Sequence, residues 1–223
     1  MTIHVHQLKL THLQFVNYCY IIVDNTSGEA VIVDPAWQAA EISKKLIELN
    51  ASPIAILLTH SHYDHVNLAD AFAKKYNSIV LMSKDEIDCY RYRCTNLYPI
   101  ECGSAYILNN IRFEALATPG HTKGSACYLI GQNLFSGDTL FIEGCGICRG
   151  KGASAHAMYD SIQLLKQTIS SSTRIFPGHS FGHEPGLKFE KLKHYNVYLH
   201  FDCREFFASF RLRKDQPDIF TFI

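Results

Sequence analysis

Side chains that commonly bind metal ions crowd residues 60–65. His60, His62, Asp64 and His65 lie in Thr59-His60-Ser61-His62-Tyr63-Asp64-His65, directly after the apolar run 54–58. In extended backbone His60 and His62 point the same way, whereas a helical start at Asp64 turns Asp64 and His65 toward a neighbouring point. Solvated histidines in a polar loop are the alternative, but the clustering favours a metal site for zinc or a similar borderline cation. We therefore expect one short turn to supply ligands for two metals.

Three glycine turns further along the chain carry the other candidate ligands. His121 follows Thr118-Pro119-Gly120, Asp138 follows Phe135-Ser136-Gly137, and His179 follows Ile175-Phe176-Pro177-Gly178. Each segment combines a short apolar strand, a turn and one ligand, so the side chains can converge on one edge of a sheet. The full candidate set is His60, His62, Asp64, His65, His121, Asp138 and His179.

The hydrophobic pattern predicts the elements that must position these residues. Apolar runs with strand periodicity predict strands at 5–10, 15–23, 30–33, 54–58, 79–82, 105–108, 111–116, 126–130, 134–135 and 174–176. Helical spacing predicts helices at 37–49, 68–76, 85–92, 157–169 and 187–195. Strands early and late with helices between them predict an α/β sandwich of two sheets covered by helices.

Length and composition agree with one compact domain. The chain has 223 residues, 47% of them hydrophobic, which is enough to bury a substantial core. We expect a single hydrolase domain over residues 1–223, with 181–223 as a short, mainly helical C-terminal segment.

The charge balance and the N-terminus bear on partners and location. With 21 basic and 21 acidic residues, no net field attracts nucleic acid or an anionic membrane. The N-terminal residues lack the pattern of a signal peptide, and no apolar run approaches the length of a membrane span. We therefore expect a cytoplasmic protein with neither nucleic acid nor a membrane as partner.

The ordered set of ligands resembles the metallo-beta-lactamase superfamily, whose pattern is a His-x-His-x-Asp-His motif followed by separate His, Asp and His ligands. The match runs from about Asp34, which ends the strand Val31-Ile32-Val33, to His179. The resemblance implies a four-layer αββα sandwich of two mixed sheets flanked by helices. It also implies that Asp34 supports the ligand loop through hydrogen bonds. The ligands would divide into a first-metal set of His60, His62 and His121, a second-metal set of Asp64, His65 and His179, and a bridging Asp138.

Single positions separate the branches of this superfamily. Asp138 stands where many true lactamases of this fold have a cysteine, which disfavours antibiotic hydrolysis. His62 stands where flavodiiron oxidoreductases use glutamate, which disfavours a redox di-iron role.

Two hydrolase branches remain. Segments 137–146 and 211–216 resemble glyoxalase II, which cleaves glutathione thioesters. The residues after Gly146 lack the lysine and the aromatic side chain that hold glutathione in that enzyme, and residues 180–223 are too few for its helical domain. The stretches 141–152 and 177–182 resemble the zinc-dependent hydrolases of bacterial polyketide biosynthesis clusters more closely, and that resemblance implies acyl chains on acyl carrier proteins as substrates.

The expected chemistry is thioester hydrolysis. Two adjacent cations would lower the pKa of a shared water from about 15.7 toward 7, which gives a metal-bound hydroxide as nucleophile at neutral pH. A thiolate leaving group, with a pKa of about 8.5, needs little protonation, so thioesters suit the site better than amides. We expect two zinc ions per chain, with iron or manganese as alternatives. Asp64 and Asp138 are the predicted catalytic residues.

Basic residues near the C-terminal half are the candidate substrate contacts. Arg149, Lys151, Arg211 and Lys214 can pair with the phosphate of a phosphopantetheine arm or with an acidic carrier protein, and ordinary surface solvation is the alternative for each. Cys145 and Cys148 form a CxxC pair, which we expect to line the substrate mouth rather than to do redox work. Glyoxalase II, a mononuclear-iron persulfide dioxygenase and a non-catalytic carrier-binding subunit remain as other functions.

Overall fold

The computed structural model describes residues 3–213 and arranges them as two six-stranded sheets. The first sheet has the strand order β1 (Ile3–His12), β2 (Phe15–Asp24), β3 (Glu29–Val33), β4 (Ser52–Leu58), β5 (Ile79–Ser83) and β6 (Leu97–Ile100). The second sheet has the order β12 (Leu187–Lys188), β11 (Arg174–Pro177), β10 (Asn133–Gly137), β9 (Ala126–Ile130), β8 (Ile111–Ala117) and β7 (Ser104–Leu108). Both sheets are mixed, because β3 to β6 run parallel to one another and β10 runs parallel to β11, whereas the other neighbouring pairs are antiparallel.

Helices cover the outer face of each sheet. They are α1 (Ala39–Glu48), α2 (Tyr63–Val66), α3 (Ala69–Tyr76), α4 (Lys84–Tyr90), α5 (Ala155–Thr168), α6 (Phe189–Leu192) and α7 (Arg204–Arg211), with a 3₁₀ helix at Val197–His200. Helices α1, α3 and α4 bury apolar residues against the first sheet, and α5 and α7 bury theirs against the second. A third apolar cluster lies between the sheets. The predicted four-layer αββα sandwich is confirmed.

Strand β2 shows why this sequence needs a layer on each side. Its odd-numbered residues Cys19, Ile21 and Val23 pack with the helices, whereas Tyr18, Tyr20 and Ile22 pack between the sheets. Successive side chains of a strand point to opposite faces, so a strand that is apolar on both faces must lie between two covering layers.

Two elements of the fold differ from the sequence-based expectation. Strand β6 was not predicted; it contains Pro99 and lies at the sheet edge, where proline is tolerated. The helix predicted at 187–195 was wrong: Leu187 pairs with Ile175 in the sheet, and only the short α6 follows. The segment from residue 181 contains α6, the 3₁₀ helix and α7 as well as β12, and its residues 214–223 lie outside the described part. Within residues 3–213, none of the helices is both long and apolar enough to span a bilayer.

Two buried tyrosines connect the sheets at the ends of ligand-bearing strands. The Tyr20 hydroxyl, on the first sheet, donates to the carbonyl oxygen of Pro177, the last residue of β11, at 2.5 Å. The Tyr128 hydroxyl, on the second sheet, donates to the carbonyl oxygen of Leu58, the last residue of β4, at 2.8 Å. The strand ends that precede the predicted ligands are thereby tied to the opposite sheet.

We expect Tyr128→Phe to lower the free energy of unfolding by about 1–2 kcal/mol, because the Leu58 carbonyl loses a buried donor. Urea denaturation measures the change. Tyr98→Phe is the control, since that side chain is 53% exposed and its change should stay within about 0.5 kcal/mol. Equal losses in the two variants would contradict the role of the Tyr128 hydroxyl.

Candidate metal centre

Loops that follow four strands bring the seven predicted ligands together. His60 and His62 follow β4, with Asp64 and His65 in the adjoining α2, while His121 follows β8, Asp138 follows β10 and His179 follows β11. We call His60, His62 and His121 the first cluster, and Asp64, His65 and His179 the second cluster. In each cluster the ligand atoms lie within 4.8 Å of one another, as they do in a third group of His60, His65 and Asp138.

The spacing of the first cluster matches a zinc site. His62 Nδ1 lies 3.1 Å from His60 Nε2 and 2.8 Å from His121 Nε2. Tetrahedral zinc with bonds of about 2.0–2.1 Å places its nitrogen ligands about 3.3 Å apart. The three nitrogens are therefore close to the separation that one zinc ion needs.

Asp138 lies between the two clusters. Its Oδ2 is 3.4 Å from His121 Nε2 of the first cluster and 3.6 Å from His179 Nε2 of the second. Its Oδ1 is 3.4 Å from His65 Nε2. One carboxylate thus contacts both sets of ligands, which is the placement of a bridging ligand.

Asp34 fixes the orientation of two ligand rings. Its carboxylate accepts hydrogen bonds from Thr59 N at 2.8 Å, from Thr59 Oγ1 at 2.6 Å and from His65 Nδ1 at 2.9 Å. Because the Thr59 hydroxyl donates to Asp34, it must accept the 3.1 Å bond from His60 Nδ1. Both rings therefore carry a proton on Nδ1 and direct Nε2, the nitrogen that can bind a metal, into the centre.

Backbone carbonyls do the same for two further rings. His121 Nδ1 donates to Ile147 O and His179 Nδ1 donates to Val16 O, each at 2.7 Å. A carbonyl oxygen can only accept, so Nδ1 of each ring carries a proton, and Nε2 is the nitrogen directed toward the centre.

Two buried atoms of the centre have no hydrogen-bond partner among the described residues. They are His65 Nε2 and Asp138 Oδ1, which face one another at 3.4 Å. Leaving a buried polar atom unsatisfied costs about 1–3 kcal/mol, and here a lone pair meets a carboxylate oxygen. A cation between them would satisfy both atoms, so this donor set fits a metal.

The electrostatics of the metal-free centre also call for positive charge. Burial lowers the pKa of His65, but Asp138 and Asp64 and the hydrogen bond to Asp34 outweigh it and raise that pKa to about 10. At His121 burial dominates over Asp138, and the pKa falls to about 4. Without metal, His65 is protonated on both ring nitrogens at neutral pH, whereas His121 stays neutral. Metal binding must therefore release the Nε2 proton of His65.

Asn17, which sequence reasoning missed, holds Asp64. Its side chain is 2% exposed, and Nδ2 donates to Asp64 O at 2.9 Å and to Asp64 Oδ2 at 3.0 Å. The Trp37 indole donates to Asn17 Oδ1 at 2.7 Å, and an indole nitrogen can only donate, so the amide orientation is fixed. A polar residue within the apolar strand β2 was the one signal available for Asn17.

Trp37 is itself held in an unusual conformation. Its φ of 62° is rare for a bulky residue, its backbone N–H donates to Asn67 Oδ1 at 2.9 Å, and its ring stacks on His12 at 4.5 Å. Strained backbone persists where surrounding contacts over-determine it. These contacts keep the indole aimed at Asn17.

A cavity of about 630 Å³ adjoins the centre. The predicted ligands that line it are His62, Asp64, His121, Asp138 and His179. Its apolar and aromatic lining comprises Phe15, Val16, Tyr18, Ile147 and Phe181, and its charged or polar lining includes Lys9, His183 and Glu184. The metal centre therefore borders a largely apolar space.

Three of the four predicted substrate contacts lie outside the lining of this cavity. Arg211 is 2% exposed and its Nε donates to Gly146 O at 2.9 Å, so it supports the loop that carries Ile147 instead of contacting substrate. Lys151 donates to Cys89 O at 3.1 Å, and Arg149 is exposed outside the cavity lining. Lys214 lies outside the described residues.

The CxxC pair is also placed differently from the expectation. Cys145 and Cys148 are buried, and from this loop Ile147 lines the cavity. At Gly146 an added Cβ would lie 2.1 Å from Asp138 O and 3.0 Å from His121 Nδ1. The loop therefore packs directly behind two ligands and needs a glycine there.

Known proteins resemble the chain in sequence and in structure. The Lactamase_B family model, described as the metallo-beta-lactamase superfamily, matches residues 13–91. The chain is 47% identical to "Probable polyketide biosynthesis zinc-dependent hydrolase PksB" of Bacillus subtilis, covering 100% of this chain and 99% of the relative. It is 48% identical to the similarly named BaeB of Bacillus velezensis, covering 99% and 98%. A hydroxyacylglutathione hydrolase of Buchnera aphidicola is 31% identical over 78% of this chain and 67% of the relative. The crystal structure of ETHE1 from Myxococcus xanthus superposes with a TM-score of 0.85 at 26% identity, covering 96% and 92%.

Replacing Asn17 with alanine should weaken zinc binding at the second cluster about 10- to 100-fold, because Asp64 loses the donor that orients it. Titration against a competing chelator measures the affinity. Asn110→Ala is the matched control, since it removes an amide that donates to the buried Asp24 away from the ligand loops. If both variants bind zinc as tightly as the parent protein, Asn17 does not orient Asp64.

Proposed function

Because the chain belongs to the metallo-beta-lactamase superfamily, we propose that it is a zinc-dependent hydrolase of acyl thioesters, acting in the cytoplasm on acyl groups carried by an acyl carrier protein in polyketide biosynthesis. The names of the two full-length relatives support the metal, the hydrolytic reaction and the pathway. The thioester bond and the carrier protein are the finer part of the proposal, for which the cavity and the ligand set provide the argument.

The observation that carries the proposal is the position of Asp138, whose two oxygens face ligands of both clusters. The first cluster and the second cluster would each hold a zinc ion, with Asp138 between them. When bound, zinc supplies a Lewis acid for a carbonyl oxygen and lowers the pKa of a water molecule.

The chain's own residues keep this centre ready for an incoming carbonyl. The Nδ1 hydrogen bonds of His60, His65, His121 and His179 hold the rings still and direct their Nε2 atoms toward the centre. Asn17 holds Asp64 at the cavity wall. A thiolate with a pKa of about 8.5 leaves without a proton donor, so thioester cleavage at this centre would need no general acid.

The cavity suits an acyl chain. Its volume of about 630 Å³ lies within the range of about 300–1,000 Å³ that is usual for small-molecule sites. Phe15, Val16 and Phe181 offer apolar surface to an acyl chain, and each buried methylene contributes about 0.8 kcal/mol. A whole carrier protein cannot enter this space, so only the acyl group and its pantetheine arm would do so. Lys9 lines the cavity and would pair with the phosphate of that arm.

Glyoxalase II activity is the second candidate, since the hydroxyacylglutathione hydrolase relative supports it. Two observations favour the carrier protein over glutathione. The chain spans 67% of that relative but 99% of the polyketide relative. Arg211, which matches the basic segment of glyoxalase II, is buried against Gly146 and lies outside the cavity lining.

A panel of thioesters tests the substrate. We expect kcat/KM for acyl groups on a phosphopantetheinylated carrier protein to exceed that for a 2-hydroxyacyl glutathione by at least about 10-fold, which corresponds to about 1.4 kcal/mol of transition-state binding. Lys9→Ala should raise KM for the carrier-bound substrate and leave KM for an acyl N-acetylcysteamine, which has no phosphate, unchanged. Turnover of the glutathione thioester alone would reject the carrier-protein proposal.

Metal removal tests the reaction class. Dialysis against a chelator should abolish thioester hydrolysis, and zinc should restore it, because this chemistry depends on the metal centre. Asp138→Asn should lower kcat by at least about 100-fold in the zinc-loaded protein, since the bridging carboxylate is lost. If the zinc-loaded protein hydrolyses no thioester and the iron-loaded protein consumes oxygen with a persulfide, the protein is instead a persulfide dioxygenase.

A further inference from the structure

Glu86, in the first turn of α4, is a buried acid that the proposed reaction does not use. Its side chain is 0% exposed and accepts four hydrogen bonds. Oε1 accepts from Ser61 N and Ser61 Oγ, both at 2.7 Å. Oε2 accepts from Thr122 Oγ1 at 2.7 Å and from Gly124 N at 3.0 Å.

These donors belong to the two loops that supply the first cluster. Ser61 lies between His60 and His62, and Thr122 directly follows His121. One carboxylate therefore joins the segments that carry all three ligands. We propose that Glu86 is a positioning residue that sets the spacing of the first cluster and so its affinity for zinc; this inference rests on the metal centre of the proposed function.

The chemistry of the donors requires a carboxylate at this position. Two backbone N–H groups and two hydroxyls point at its oxygens, and an ionised carboxylate accepts at both. Because Thr122 Oγ1 donates its single proton to Glu86, Ser125 Oγ must donate the 2.5 Å bond to Thr122 Oγ1, while it accepts from Thr122 N. An amide would turn an NH₂ group toward two donors on one side.

The loop of His121 packs so closely on α4 that the link is short and stiff. An added Cβ at Gly124 would lie 2.0 Å from Glu86 N and 2.5 Å from Glu86 Cα. Backbone thus meets backbone directly beside the carboxylate. Burying a charge is costly, and here that charge is compensated by groups whose positions determine where the three histidines lie.

Stepwise zinc affinity of the whole protein tests the proposal. The His121→Ala variant identifies the binding step of the first cluster and His179→Ala that of the second. In Glu86→Gln we expect the affinity of the first cluster to fall about 10- to 100-fold and that of the second to stay unchanged. The absorption spectrum of cobalt bound at the first cluster should change as well, because the ligand geometry relaxes. Asn17→Ala should give the opposite pattern of affinities.

Asp24→Asn is the matched control for the loss of a buried carboxylate. Asp24 also accepts from a backbone N–H and from side chains, at Thr26, Ser27 and Asn110, and none of these lies on a ligand loop. We expect this variant to lose stability and to keep both zinc affinities. If Glu86→Gln loses stability alone, or weakens both clusters equally, the positioning role is overturned.

Single-donor variants keep the test valid if Glu86→Gln does not fold. Ser61→Ala and Thr122→Val each remove one hydroxyl and leave the carboxylate in place, and each should weaken the first cluster less than about 10-fold. Unchanged first-cluster affinity in both would overturn the proposal. A parent protein that binds zinc at both clusters but hydrolyses no thioester would reject the proposed function and leave this inference standing.

Discussion

His65 Nε2 faces an oxygen of Asp138 in the protein interior, and neither atom has a hydrogen-bond partner among the described residues. Such a contact is unfavourable unless a proton or a metal ion lies there, and the surrounding hydrogen bonds prevent the ring from turning away. Asp34 holds the opposite nitrogen of His65, and carbonyl oxygens hold those of His121 and His179. The fold thus holds together electron-rich atoms that would separate in a flexible chain. A bound cation would stabilise this arrangement.

The layers of the sandwich make this arrangement rigid. Strands that are apolar on both faces are held between a helical layer and the other sheet, so the strand ends cannot shift independently. Tyr20 and Tyr128 tie strand ends across the sheets. Buried polar groups then pass this rigidity to the ligands: Asp34 from β3, Asn17 from β2 and Glu86 from α4 each hold a ligand segment. Different layers therefore position different ligands of one centre.

The ligands were predictable because their signal is local. A metal-binding turn and short strand-turn-ligand segments can be recognised within a few residues, and alternating apolar residues predict most strands. The supporting residue Asp34 was expected from the family resemblance, but Asn17 and Glu86 were not predictable, because their partners are distant in sequence: Asn17 and Asp64 are 47 residues apart, and Glu86 and Thr122 are 36 apart. In a helical pattern Glu86 has the character of an exposed residue. The placement of Arg211 was not predictable for a related reason. A basic residue near the C-terminus suggests an exposed contact, whereas the hydrogen bond from Arg211 to Gly146 joins residues that are distant in sequence.

Selectivity must arise outside the metal centre. The ligand pattern resembles that of the superfamily, so a metal held there would polarise any carbonyl that reaches it and would distinguish substrates poorly. The groups that differ in shape and polarity are those that line the cavity, from Lys9 to Tyr18 on the first hairpin and from Ser180 to Glu184 after the last ligand. The buried Glu143 carboxylate accepts from the backbone N–H of His183 at 2.7 Å and thereby fixes the second of these segments. Because both segments adjoin ligands, His179 directly and Asp64 through Asn17, the cavity surface that would contact a substrate is held at a fixed position relative to the metal centre.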